Sequence, residues 1–488
     1  MLPSTGVIEI RSTATANNVN GGGFNAARGG TDYSQQDAAQ LTNTDLTTAG
    51  AGATTVTSAG GGFTSAMVGN YIHITAGTNF QASLYEIVTF TDANNVILDR
   101  TPSSGAAGSG GTFYVGGAMS LNSTLDDDLF ELGVAGNIFY IKAGTYTLGE
   151  SVSVTAAGGV QNPIKVIGYN ATRGDTPTGT DRPLMNCAAN GFAFGANWDI
   201  YNLEVTTTGS NGLVTGTGGK IINCFTINKS TTANRNAFRL NADALVLDCE
   251  GVSYFGYAMN TASGVVQGCY LHDSKYGVDL PNGSNVFFLL NNIIASCYNS
   301  AIYDSVAQVG RGHIAGNTIY GAENKTGTGV NLITTTTDIS LVNNIIYGFV
   351  TGVSHADVQS VGYDDYNDYY NNTTDVTNWD KGANDVAVDP VFTNVGQVTG
   401  TTGAFVAGGS KLVDTSKDFT ALGVVAGDYV YIISGTGVTA GVVRITSIST
   451  TTNPNDTLNT DVNPGTNTTA DKVYQITIGH NYAITGSL

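Results

Sequence analysis

The chain is poor in charge, proline and tryptophan: of 488 residues only 12% are Asp, Glu, Lys or Arg, nine are Pro and two are Trp. Helix-rich enzymes carry about twice that charge. The 64 glycines, each costing about 1 kcal/mol inside a helix, argue against a helical protein again. Basic residues are the scarcest of the charged ones, 19 Lys and Arg against 38 Asp and Glu, for a net charge of −19. Such a surface repels a phosphate backbone and an anionic bilayer, so neither nucleic acid nor membrane is expected as a partner. No run approaches the roughly 18 apolar residues of a membrane span. Met1-Leu-Pro-Ser-Thr-Gly lacks the basic and apolar parts of a secretory signal, so the expectation is a leader already removed or release by another route. Five Cys, at 187, 224, 249, 269 and 297, are too few for a disulfide framework, and without a Cys-x-x-Cys pair they do not suggest zinc. Disorder fails as well, because 41% hydrophobic residues, 24 Tyr and 18 Phe supply a core. An ordered all-β protein remains.

What is present is repetition. Between about residues 200 and 350 similar segments recur: Ile200-Tyr-Asn202-Leu, Ile222-Asn-Cys224-Phe, Leu247-Asp-Cys249-Glu, Gln267-Gly-Cys269-Tyr, Leu290-Asn-Asn292-Ile, Ala315-Gly-Asn317-Thr and Val342-Asn-Asn344-Ile. Each is followed by a small residue and an apolar one, as in Ala237-Phe238, Ala258-Met259, Gly277-Val278 and Ala301-Ile302. Short strands stacked coil on coil would put equivalent residues about 4.8 Å apart. Asn202, Cys224, Cys249, Cys269, Asn292, Asn317 and Asn344 then form a structural ladder, Asn by hydrogen bonding along the stack and Cys as a small buried hydrophobe. A reactive thiol would need an electropositive, accessible setting that nothing in the sequence suggests.

These features resemble the right-handed parallel β-helix of the pectate-lyase-like superfamily. The first coil is expected at Ile138–Leu148, and Asp389-Pro-Val-Phe392 is similar to the segment that often closes such a helix. The resemblance implies a β-helix over 119–395, with about 11 coils of ~23 residues in a rod on the order of 50 Å long. It says almost nothing about activity.

A second repeat flanks the first. Val68-Gly69-Asn70-Tyr71-Ile72-His73-Ile74 aligns without gaps to Ala426-Gly427-Asp428-Tyr429-Val430-Tyr431-Ile432, and Tyr85-Glu-Ile87 continues in register with Val443-Arg-Ile445. Alternating apolar and polar residues between Gly and Asn turns predict two homologous antiparallel β modules, at 51–118 and 396–488. They are expected to cap the exposed ends of the rod, to dock, or both. Residues 1–50 precede the first copy as an attachment segment. That segment, with Asn20-Gly-Gly-Gly-Phe24 and Gly30-Thr-Asp-Tyr-Ser-Gln-Gln36, resembles the leader of β-helix proteins encoded by tailed bacteriophages.

Polysaccharide lyases and hydrolases share this fold, but the catalytic pattern of the family is absent from the sequence. Asn43-Thr-Asp45 and Asn459-Thr-Asp461 lie outside the rod; Gly312-His313 and Asp364-Asp365 lie in it, but in reverse order for a galacturonase and without Arg-x-Lys. The residue after each small-apolar pair should point outward, giving a column of Arg239, Asn260, Asp279, Tyr303, Asn331 and Ser354. Its first four members are the glycan-contact candidates, weighed against the polar exterior any solenoid requires. No catalytic residue is assigned, since acid/base chemistry needs two matched groups and only Asp279 is evident. The carboxylates Asp126-Asp-Asp128 and Asp364-Asp-Tyr-Asn-Asp368 are read as solvated loops. Calcium stays an open candidate there, although neither run has the spacing of a calcium loop. The five His show no metal-ligand pair, and the Gly-rich runs lack a phosphate-loop Lys.

The expectation is a non-enzymatic virion protein of a tailed phage, exposed on the particle as decoration, fibre or spike. It would associate with itself as a homotrimer, with other virion proteins, and with surface glycans. The alternatives are a polysaccharide-degrading β-helix enzyme and a bacterial surface adhesin.

Overall fold

The computed structural model describes all residues except 1, 3–5, 15–18, 122–125, 190, 281–285, 305–310, 322–326, 334–337, 357–361, 393–395, 407–408, 439, 464, 466 and 480–488, and the side chains of 126–128. The fold is all-β, a parallel β-solenoid with two closed antiparallel barrels of six strands each. The chain divides into two compact units, Met1–Thr206 with Thr215–Phe225, and Thr207–Val214 with Thr226–Leu488.

Each coil gives one strand to each of three parallel sheets. Ten strands in the second and third sheets make about nine turns, not the eleven coils expected. Two stretches account for the difference. One coil steps from Ile164 to Trp198 because residues 170–183 form an inserted loop with a tight 3-10 turn at Gly179–Asp181. Past Thr377, the last strand residue of the third sheet, the chain closes the stack instead of extending it.

In the first unit, Phe139, Val166, Ile200 and Ile221 stack in register and are fully buried. A short helix at Asp126–Glu131 seats Phe130 among Phe139, Phe192, Phe194 and Trp198, with ring centroids 5.1–6.3 Å from it. The edge of the first coil is covered by the leader: Val7–Ile10 pairs in parallel with Ile138–Lys142 and antiparallel with Gly23–Phe24. Behind it Glu9, fully buried, is held by Arg11 at 2.9 Å, by Arg173 at 2.7 Å and by the Tyr169 hydroxyl. Pairing satisfies a charge that would otherwise be costly to bury. Arg173 comes from the inserted loop and also reaches Asp32 at 2.8 Å, so loop and leader are tied together.

The first barrel runs from Leu41 to Val115, starting ahead of the boundary at 51. It meets the leader through the fully buried Tyr71, whose ring fills the space where Gly6 or Gly23 would carry a side chain. The barrel's Glu86 accepts from Arg28 at 2.7 Å and Asn25 at 3.0 Å. Capping therefore belongs to the leader strand, and the barrel docks onto the leader.

In the second unit, Val246, Val266, Leu289, Ile314 and Leu341 form one buried column. Phe238, Met259, Val278, Ile302, Val330 and Val353 form another. The first ends on Asp364, in register with Leu341. Asp364 accepts from Asn367 Nδ2 at 2.8 Å, the Tyr369 hydroxyl at 2.5 Å and Trp379 Nε1 at 2.6 Å. Burial, reinforced by the neighbouring Asp385, pushes its carboxyl up to about 6. Asp364 and Asp368 are buried, which corrects the solvated-loop reading of this acidic run. With Trp379 and the Asp368–Val386 bridge they close the stack.

Each of Cys224, Cys249, Cys269, Asn292, Asn317 and Asn344 immediately precedes a second-sheet strand, and all are buried. Asn292 Nδ2 donates to Asn317 Oδ1 at 3.0 Å, Asn317 to Asn344 at 2.9 Å, and Asn344 to Asn367 at 2.9 Å. Each Oδ1 also accepts the backbone N–H of the preceding ladder residue. Asn367 is thus a rung the sequence reading did not include. Asn202 belongs to a different column: Phe225 N–H bonds to Leu203 O, as Tyr270 N–H does to Cys249 O, so Leu203 occupies the ladder position. Asn202 is instead a left-handed corner at φ 59°, like Asn223, Asp248, Asn291 and Asn343. Asn and Asp tolerate that conformation better than other side chains. All five cysteines are free thiols, buried, and each Sγ–H points at the carbonyl two residues back.

The second barrel runs from Gly396 to Ile478. On the way to it Phe392 packs edge-on against the stacked Tyr320 and Tyr347. Among the described residues the barrel's contacts with the solenoid fall on its side, at residues 229, 254, 272 and 296–298, rather than on the last coil. Tyr431 stacks on Tyr298 at 4.3 Å, Tyr429 sits against Tyr254 and His272, and Asp461 binds Lys229 and the Tyr254 hydroxyl, both at 2.7 Å.

Candidate functional site

The outward column is continuous in the structure. Arg239 pairs with Asn260, Asn260 with Asp279, Asp279 with Tyr303, and Tyr303 with Asn331. Three residues earlier on the same strands runs a second column, Asn236, Tyr257, Tyr276 and Ser300. One residue earlier again lies a corner column of Arg235, Gly256, Lys275 and Asn299, joined by hydrogen bonds from Tyr257 N to Arg235 O, Tyr276 N to Gly256 O and Asn299 N to Lys275 O. The offset of four from the first column is constant, which is the signal by which the sequence could have disclosed Arg235 and Lys275.

The three columns line a groove of about 650 Å³ that also includes Asn211 and Asn234. Its tyrosines stack along the solenoid, Tyr257 on Tyr276 at 4.8 Å and Tyr276 on Tyr303 at 4.5 Å. Stacking uses up most ring faces, so the groove is offered hydroxyls and edges. Asn299 Nδ2 donates to the Tyr276 hydroxyl at 2.8 Å, and Lys275 Nζ lies 5.2 Å from that ring's centroid. Burial raises all three phenols; Asp279 adds to the shift at Tyr257, and Tyr303 adds to it at Tyr276. They therefore remain neutral donors at neutral pH. Asp279, buried, accepts from Asn260 Nδ2 and is the one carboxylate among the lining residues.

The other sequence candidates are scattered. His313 faces outward beside Ser340 and Phe288, in a separate depression of about 390 Å³ with the Arg311–Asp338 pair. Asp364, on the inner face, does not join it. Asp45 accepts from Ser58 Oγ at 2.5 Å and Gly60 N at 2.6 Å; these bonds, the serine's foremost, hold its pKa low. Asp461 serves the second barrel's docking. His272 is buried between Asp273 (Nδ1, 2.7 Å) and Glu250 (Nε2, 3.1 Å). Burial by itself would lower its pKa, but the two carboxylates win and push it up to about 9. His480 and the side chains of Asp126–Asp128 lie outside the described residues. Among the described residues no three His, Cys, Asp or Glu are grouped to hold a metal ion, and no helix is long and apolar enough to cross a membrane.

No family model and no curated protein matches the chain. Solved structures do. Pectate lyase Pel9A is 14% identical, covering 57% of this chain and 78% of its own, at a TM-score of 0.36. The gp54 tailspike of Acinetobacter baumannii bacteriophage AP22, solved with a capsular saccharide, is 11% identical over 91% of this chain and 81% of that one, at 0.29. A variant tailspike of E. coli bacteriophage HK620, solved with a pentasaccharide, is 11% identical over 75% and 92%, at 0.24. The groove has to be read from its own residues.

Proposed function

We propose that the chain is a virion protein of a tailed phage, displayed on the particle as a homotrimeric decoration, fibre or spike, whose groove holds a surface glycan without cleaving it. The observation that carries the glycan reading is the three-column groove. It sets guanidinium, ammonium, amide, carboxylate and phenol groups in fixed register on rigid strands, the mix of convergent polar groups that orients a polyhydroxylated ligand. Against cleavage stands the lining, which offers one carboxylate where glycoside hydrolysis uses two. Stacked rungs about 4.8 Å apart favour a sugar chain lying along the solenoid.

The test is a binding screen against capsular and plant oligosaccharides with product analysis in parallel. Expected are saturable binding that weakens about tenfold or more in Arg239→Ala, a loss of ~1.4 kcal/mol or more, and no new reducing ends or unsaturated products. Turnover that disappears in Asp279→Asn would make the protein an enzyme. Absence from purified particles, or a stable monomer in sedimentation, would remove the virion reading.

A further inference from the structure

We propose that the groove selects an anionic glycan, one bearing carboxylate, sulfate or phosphate groups; this rests on the glycan reading of the same groove. The chain has 19 basic residues in 488, and three of them, Arg235, Arg239 and Lys275, line this one groove. Of the 15 other basic residues described, nine meet carboxylates, among them Arg11, Arg28, Arg100, Arg173, Lys220 and Lys229. Among the described residues Arg235, Arg239 and Lys275 make none. Among the lining residues Asp279 alone opposes them, already engaged by Asn260, and Asp304 lies near enough to act on Tyr303. Three positive groups and one negative leave the lining at +2 in a molecule of net −19.

Placement adds to the count. Arg235 and Lys275 share the corner column two rungs apart, about 10 Å, with Gly256 between them contributing no side chain. Arg239 stands four residues along the strand, in the outer column. Acid groups borne two rungs apart on a chain lying along the solenoid would meet Arg235 and then Lys275, while Arg239 would take a group on the other edge. Behind the groove surface Arg235 Nε and Asn236 Oδ1 are buried and have no hydrogen-bond partner among the described residues. A positive cleft in an acidic protein also focuses the field on its own ligand, since the rest of the surface repels it.

The experiment is titration calorimetry of the full chain with paired probes: uronate, sialate and sulfated oligosaccharides, each beside its methyl-esterified or desulfated neutral form. Acidic members should bind about tenfold or more tighter than their neutral forms at about 50 mM salt, and lose most of that advantage at about 500 mM. Lys275→Gln and Arg239→Gln should each weaken the acidic probes ~3- to 10-fold and leave the neutral ones unchanged, and Lys275→Arg should retain binding. Equal or tighter binding of the neutral forms would overturn the anion selectivity and leave the glycan reading standing. Acidic binding indifferent to both Gln variants would overturn the assignment to these residues. Binding of no probe at all would overturn the glycan reading, and this inference with it.

Discussion

The two barrels carry the same motif and present the same face, yet they dock on different things. Tyr71 and Tyr429 are equivalent and both are buried. In the first barrel the ring lies over the side-chain-free Gly6 and Gly23 of the leader; in the second it meets Tyr254 and His272 of the solenoid. The positions paired across the strand differ in charge sign, Glu86 opposite Tyr71 and Arg444 opposite Tyr429. The first barrel fixes Arg28 of the leader with Glu86, the second fixes Lys229 with Asp461. A duplicated module can thus retain one apolar anchor and change its destination through the charges around that anchor.

The largest test of this comparison is to remove the anchor. Tyr429→Ala and Tyr71→Ala should each cost about 3–5 kcal/mol, measured by urea unfolding. Hydrogen exchange should locate the damage separately: amides of 441–445 and 254–257 open in the first variant, those of 7–10 and 138–142 in the second. Opening of both regions in either variant would break the comparison. Next come the charges. Asp461→Ala leaves the largely covered Lys229 unpaired and should cost about 2–4 kcal/mol, whereas Glu86→Ala frees the half-exposed Arg28 and should cost less, about 1–2 kcal/mol.

A pH scan separates the two docks further. The folded pKa of His272, about 9, lies above its ordinary value of 6.5. Its contribution is therefore fully present below about pH 6.5 and is lost as pH rises through about 9. Amides of the second barrel at 441–445 should lose protection across that window in the wild type, and His272→Gln should flatten the trend; a trend that persists in the variant would assign it to other groups. The smallest effect is expected from Tyr254→Phe, which removes the hydroxyl bond to Asp461 and should cost about 1 kcal/mol by the same urea measurement.

Much of this architecture was legible because a solenoid writes its geometry into periodicity. The coil spacing placed Cys224 through Asn344 on one ladder and Arg239 through Tyr303 on one outward column, as the register has them. What was not legible depended on exceptions to the period. Asn202 looks like a rung because it is an asparagine, but a left-handed corner asks for the same residue type one position earlier. Asp364 looks like a surface carboxylate until Leu341 is seen beneath it and Trp379 above. Arg235 and Lys275 escaped because Gly256 interrupts their column and masks the repeat. The barrels' docking sites are set by contacts between distant segments, which no local pattern encodes.

The asparagine ladder has a consequence for how this molecule can change length. Asn292, Asn317 and Asn344 offer the same donor and the same acceptor to the coil above and the coil below. Excising residues 318–344 would bring Asn317 against Asn367 and join Asn317 to Ile345 with every column still in phase. Length then comes in quanta of one coil, added or removed downstream of the groove at rungs 236–303, so a ligand site of fixed chemistry can be carried at adjustable distance from the terminus that Trp379 closes.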